Sequence, residues 1–308
     1  MRSFHSQGRE LTQDLPKINA WHALRVHLDC VPMSKETSMS WARIMAPLSG
    51  GEGDKTAIAA AAKLAAPFGA ELACVYTPAD VADVMPWMGE GFLGGIQTTA
   101  LESLKEAAEA GEKNARAAVA ATSYPKSQFI SLQTPVWAGL SAESRLSDVI
   151  VFNNDPSRGR GPLAEAFQQM VADEQRPVLI AREGFTVGGP VAVAWDGGKE
   201  ASRAARLALP LLEKASRVVI LAAPKATSRS FDPHRLQAYY AARGVEAEVD
   251  TLPDSGDAAP LLLYAASKIE AGILVAGAFG HPRLQEFIFG GTTRTLLSAD
   301  HPSLFLSH

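Results

Sequence analysis

Cysteine is almost missing from this chain: Cys30 and Cys74 are the two among 308 residues. That is too few for a disulfide framework or a cysteine-rich zinc site, and it suits a reducing compartment. Basic runs are missing as well, and with a formal charge of −4 the chain has no electrostatic footprint for nucleic acid or an anionic membrane surface. No stretch approaches the roughly 18 uninterrupted apolar residues of a membrane-spanning helix, and residues 1–40 lack the continuous apolar segment of an export signal. The expectation is a soluble, cytoplasmic protein whose partners include neither nucleic acid nor membrane. What is present is an ordinary globular mixture, 47% hydrophobic and 20% charged. A chain of this length can build two cores of about 100–200 residues each.

Residues 1–40 read differently from the rest. They carry His5, His22 and His27, isolated charges and no sustained period, and are expected to form a disordered tail. His22, His27 and Cys30 lack the fourth ligand of a closed zinc site, so no metal site is expected. Met33 and Met39 stand just before the first regular strand and are candidate translation starts.

From residue 44 a pattern runs through the chain twice. A short apolar strand (44–48), a turn containing Ser49, Gly50 and Gly51, an alanine-rich helix (55–67) and a second strand (71–76) form the first passage. A strand at 191–195, the turn Asp196, Gly197 and Gly198, a helix at 200–214 and a strand at 217–223 form the second. The closing parts repeat too. Strand 148–152, loop 153–162, helix 163–173 and strand 177–180 return as strand 272–276, a glycine loop, helix 292–298 and strand 302–306. Strands that are apolar on both faces belong in parallel sheets covered by helices, with right-handed crossovers. The reading is therefore α/β: two tandem doubly wound domains, 41–183 and 188–308, joined by a glycine-bearing linker at 183–190.

Both closing strands begin with proline, Pro177 and Pro302, and the segments before them align without a gap. On that alignment Gly277 faces Phe152, Gly280 faces Asp155, Gly290 faces Glu165 and Gly291 faces Ala166. The first copy has none of these glycines. Glycine lets backbone N–H groups approach an anion closely, and a helix starting near Thr292 would aim its unpaired N–H groups and positive dipole end at the same point. One working nucleotide site and one silent copy are expected.

In open α/β sheets ligands bind beyond the carboxyl ends of the strands, where neighbouring connections diverge. There Asp196 could accept from the exocyclic amine of adenine or a ribose hydroxyl, and it would repel phosphate, so it belongs at the base end. The same aspartate could equally serve only its turn and the following helix. Its counterpart in the first copy is Ser49. At the other end, Gly290, Gly291, Thr292 and Thr293 offer N–H and hydroxyl donors to phosphates, and His281 and Arg283 lie in the same loop.

Gly277, two residues, Gly280, nine residues and Gly290, preceded far upstream by Trp195, Asp196 and Gly197, resemble the signature of the universal stress protein family. The resemblance covers about 41–308 as two tandem copies, strong in 190–308 and weak in 41–183. It implies a five-stranded parallel sheet of order 3-2-1-4-5 in each copy and ATP as ligand. Asp196 and the backbone near Ala223 would hold adenine, Gly277 and Gly280 the ribose side, and Gly290 with Thr292 and Thr293 the phosphates, with magnesium as a companion. Gly291 stands where the family has Ser or Thr, which makes AMP, or weakly held ATP, an alternative. The resemblance also implies pairing of the two copies and a further homodimer.

Two rival readings stand beside this one. The turn from Ser49 to Asp54 is near the Ser-Gly-Gly-x-Asp-Ser loop of ATP pyrophosphatases, with one extra residue and Lys55 in place of the final serine. A nucleotide-free interaction scaffold is the other. No nucleophile and base pair, paired carboxylate or metal cluster can be assembled, so no catalytic residue is named and slow ATP hydrolysis is the most that is expected. His234 has no evident partner. The apolar stretch 78–101, with Met85, Trp87, Met88 and Phe92, is read as a cover for the partner domain or for a dimer contact, with core filling as the alternative.

Overall fold

Six residues, Arg43–Leu48, form the central strand of the first half (β1), and all but the first are buried. Such a strand needs neighbours on both edges and helices on both faces. The computed structural model describes residues 40–78, 94–132, 136–222, 232–253, 257–278 and 291–308. In the first half β2 (Glu71–Tyr76), β3 (Ser127–Ser131), β4 (Val149–Phe152) and β5 (Val178–Ile180) complete the set. In the second half β6 (Pro190–Trp195), β7 (Arg217–Ala222), β8 (Glu248–Thr251), β9 (Ile273–Gly277) and β10 (Ser303–Ser307) repeat it. The helices are α1 (Gly53–Ala65), α2 (Gly94–Ala120), α3 (Val136–Ser144), α4 (Asn154–Ser157) and α5 (Ala164–Ala172), then α6 (Lys199–Leu207), α7 (Leu209–Leu212), α8 (Pro233–Ala241), α9 (Ala258–Lys268) and α10 (Gly291–Ser298).

Each half has the expected strand order, and the two halves are joined. The order is β3-β2-β1-β4-β5-β10-β9-β6-β7-β8, one sheet of ten strands. Every pairing is parallel except the junction, where β5 and β10 run antiparallel. Leu179 sits opposite Phe305, with Val178 opposite Leu306 and Ile180 opposite Leu304 on either side. That pattern is self-complementary, as a two-fold interface requires. The pseudo-dyad passes between Leu179 and Phe305. The core crosses it as well: Trp41 of the first half stacks on Phe305 at 5.9 Å with the rings 8° from parallel. One face of the sheet gathers Ile44, Val151 and Leu179 with Val193, Val275 and Phe305 into a single buried cluster.

The strand registers correct the gap-free alignment. Ile44 pairs with Val149 as Val191 pairs with Ile273, which makes Val149 and Ile273 counterparts. Ile150 pairs with Val178 as Leu274 pairs with Leu304. The segment from β4 to β5 is therefore two residues longer in its second version, and the counterpart of Gly277 is Asn153, not Phe152. The difference matters because a shift of one residue turns a strand side chain to the opposite face. Phe152 is in the core against Phe167, edge to face at 5.5 Å, whereas Asn153 is at the strand's end.

Candidate functional site

At the carboxyl end of β6 the chain turns through Asp196, Gly197 and Gly198. Gly197 has φ of +71°, the left-handed region that glycine tolerates. Asp196 Oδ1 accepts from the Gly198 N–H at 2.7 Å, so the local turn role weighed for this residue is realised with one of its two oxygens. The other has no partner among the described residues. The first half builds the same turn with different chemistry. Gly50 has φ of +79°, and Ser49 Oγ accepts from the Gly51 N–H at 3.2 Å.

β9 lies beside β6, and its last residue, Gly277, continues the pairing of Val193 with Val275 to a position next to Trp195. On its other side Gly277 pairs with Ser307. Trp195 Nε1 and Ser307 Oγ are both buried without a hydrogen-bond partner among the described residues. The sequence marks Trp195 only as part of the strand-and-turn motif and Ser307 not at all, because a terminal strand residue gives no sign there of lacking a partner. Gly291 opens α10, and Thr292 and Thr293 occupy its first turn, with Thr293 buried. Ala223, Gly280 and Gly290, with His281 and Arg283, lie outside the described residues. The structure thus sets Asp196, just past β6, and Gly277, the last residue of β9, at the carboxyl ends of adjacent strands. Topology puts the start of α10 at those ends too.

Gly277 also has a packing role. A Cβ there would stand 2.5 Å from the Ala201 nitrogen, at the start of α6. The first half solves the same crowding from the other side. Gly53 opens α1, where a Cβ would collide with the Asn153 amide nitrogen, and Asn153 Nδ2 instead donates to the Gly53 carbonyl at 3.0 Å. The missing glycine after β4 is therefore compensated in the helix. Its loss from the first copy does not by itself mark the loss of a ligand.

Other contacts close that point in the first half. Asp54, 3% exposed, accepts from Ser49 N at 2.9 Å and Ser49 Oγ at 3.0 Å through one oxygen and from Gly50 N at 2.8 Å through the other. Both oxygens of the aspartate in the pyrophosphatase-like turn are thus committed to the loop's own backbone and serine. Helix α2 then packs onto the loop, with a Cβ on Gly50 meeting Gly111 Cα at 2.5 Å. Asn114 Nδ2 donates to the Gly50 carbonyl at 3.3 Å, and Tyr76 Oη donates to the Ala108 carbonyl at 2.9 Å. Burial, then the Asp54 charge, push the Cys74 thiol up to about 12. A buried carboxylate under a closed loop is a poor host for a phosphate.

The halves meet at a second polar cluster, which the sequence did not reveal. Arg182, just beyond β5, is 5% exposed and caps the far end of α10: Nη2 donates to the carbonyls of Leu296 at 2.7 Å and Leu297 at 3.2 Å, and Nη1 to Pro302 at 2.6 Å. Arg158 Nη2 reaches the Ser298 and Ala299 carbonyls at 3.0 Å and Asp300 Oδ1 at 2.6 Å. Burial, and then the Arg158 charge, lower the Arg182 guanidinium to about 10.

Of the remaining expectations, His234 does have a partner, with Nδ1 3.0 Å from Gln237 Oε1 in the first turn of α8. Most of the apolar stretch 78–101, including Met85, Trp87, Met88 and Phe92, lies outside the described residues, and its end forms the start of α2. The tail, with His22, His27 and Cys30, is outside them too. Among the described residues no group of three or more His, Cys, Asp or Glu could hold a metal, and no helix is long and apolar enough to cross a membrane.

The fold is shared with a universal stress protein from Archaeoglobus fulgidus, at a TM-score of 0.60 and 16% identity over 86% of this chain and 95% of that one. A protein of Pseudomonas aeruginosa described with the same family name gives a TM-score of 0.51 and 14% identity over 88% and 95%. No family model and no curated protein matches the sequence. The chain has the universal stress protein fold in its tandem form, two five-stranded halves in one sheet.

Proposed function

We propose that the second half binds an adenine nucleotide, ATP or AMP, at the carboxyl edge between β6 and β9, and that the protein is a nucleotide-dependent regulator or sensor in a stress response. The observation that carries this reading is Asp196. It stands at the topological switch point of its half, where α/β sheets bind ligands, with one carboxylate oxygen fixed by Gly198 and the other without a partner among the described residues. An acceptor held in that way suits an amine or a hydroxyl. Gly277 beside it, and Gly291, Thr292 and Thr293 at the start of α10, would face the ribose and phosphates. A magnesium ion would travel with the triphosphate, bound chiefly by its oxygens. Trp195 Nε1 and Ser307 Oγ, on either side of Gly277 and without partners among the described residues, fit a site completed by an acceptor-rich ligand.

The test is calorimetric titration of ATP and of AMP into the wild-type chain and into Asp196→Ala. Binding in the wild type that weakens at least tenfold in the variant is expected. Absence of binding, or equal affinity in the two proteins, would overturn the assignment.

A further inference from the structure

Where the loop after α4 in the first half meets α10 of the second, a groove of about 450 Å³ opens, lined by Arg158, Arg160, Gln168, Arg294 and Leu297 among others. Its volume is in the range of small-molecule sites, roughly 300–1,000 Å³. Both halves supply its charge, in a chain whose formal charge is −4. Arg160 and Arg294 are exposed and make no ion pair among the described residues, while Arg158 is paired with Asp300 alone.

Three details make this more than a solvated basic patch. Arg158 is fixed in the wall of the groove by its hydrogen bonds to the Ser298 and Ala299 carbonyls and to Asp300. The carbonyls at the end of α10, which would repel an anion, are already occupied by Arg182 and by Arg158 Nη2. Gln168, on α5, adds an amide with no hydrogen bond among the described residues. Guanidinium groups recognise phosphate by paired, charge-assisted hydrogen bonds.

We infer that this groove is a second binding site, separate from the one at Asp196, for a compact anion bearing one or more phosphoryl groups. Arg158, Arg160 and Arg294 hold the phosphoryl oxygens, and Gln168 donates at the rim. Because both halves contribute, the ligand bridges them, and it binds only when the β5–β10 junction is intact.

The experiment is titration of inorganic pyrophosphate, and separately of inorganic phosphate, into the full chain at low ionic strength. It is repeated with Arg160→Ala/Arg294→Ala, with Arg206→Ala as an exposed arginine that does not line the groove, and with Asp196→Ala. Both substituted groove arginines are exposed, so folding should survive, and circular dichroism verifies it. The expected result is pyrophosphate binding that weakens at least tenfold in the double variant and stays unchanged in the other two. A stronger signal for pyrophosphate than for phosphate identifies a ligand with more than one phosphoryl group; the reverse identifies a monophosphate. No binding to the wild type overturns the proposal, as does equal binding in the double variant or equal weakening in Arg206→Ala. Loss in Asp196→Ala would move the anion to the other site and overturn it too. Failure of ATP to bind at Asp196 leaves these outcomes untouched.

Discussion

Gly277 lets Ala201 come so close that a Cβ on the glycine would stand 2.5 Å from the alanine's backbone nitrogen. In the first half the relationship is inverted, with Gly53 on the helix and Asn153 at the strand's end. Gly277→Ala should therefore push α6 off the sheet and cost about 1–3 kcal/mol, the usual range for overpacking. Gly53→Ala should cost less, because the atom it meets is the far end of a side chain that can turn away. Urea unfolding of both variants measures the difference; equal costs would contradict it.

A serine at position 291 has room. No heavy atom of the described residues lies within 4 Å of a Cβ built there, and the backbone is not in the left-handed region. Gly291→Ser would place a hydroxyl at the start of α10, where a hydrogen bond to a charged acceptor contributes about 1.5–3 kcal/mol. ATP affinity should rise by about tenfold, and AMP affinity by less. An unchanged Kd for ATP would show that phosphates do not reach this helix.

Replacing Arg182 by leucine strands the carbonyls of Leu296, Leu297 and Pro302, which it now serves. Each buried acceptor left unpaired costs about 1–3 kcal/mol, partly offset by no longer burying a charge. A net loss on the order of 3 kcal/mol is expected in chemical denaturation. Arg182→Lys should recover little of it, since a single ammonium cannot span acceptors matched to a planar fork.

Acid should weaken one particular tie. Glu174 accepts from Arg145 Nε at 2.8 Å and Nη2 at 2.6 Å and from Ser141 Oγ. The Arg145 hydrogen bonds above all hold its carboxyl down, at about 2 against an ordinary 4.5. A folded-state value below the unfolded one gives stability that is full above pH 4.5 and is lost as the pH falls through about 2. The melting temperatures of the wild type and Glu174→Gln should therefore differ at pH 6 and converge as the pH falls towards 2. A gap that is constant with pH would mean that Glu174 acts by packing alone.

Much of the fold was legible because the signals were local. Strand 71–76 has the ends that its sequence marks, and the repeated order of strands, glycine turns and helices points to two tandem α/β halves, while the strand order within each follows from the family resemblance. Contacts made across long sequence separations were not legible. Equal spacing to Pro177 and Pro302 suggested loops of equal length, and only the pairing of Ile150 with Val178 and of Leu274 with Leu304 exposes the two extra residues. Similarly, Gly53 looked like a turn residue until Asn153 was found against it. Asp196 could be located from the sequence, since its strand and turn are contiguous. Arg182 could not, because its partners lie more than a hundred residues away.

The pairing of Leu179 with Phe305 has a further consequence. In a dimer of identical subunits every substitution is made twice, so a change that fills one pocket fills both. Here the two sides of the dyad are written separately into one chain. One side can carry Asp54 and a long helix over its loop while the other carries Asp196 in its own turn, and the partners can never separate or assort with the wrong copy. Covalent linkage turns a symmetric interface into a division of labour.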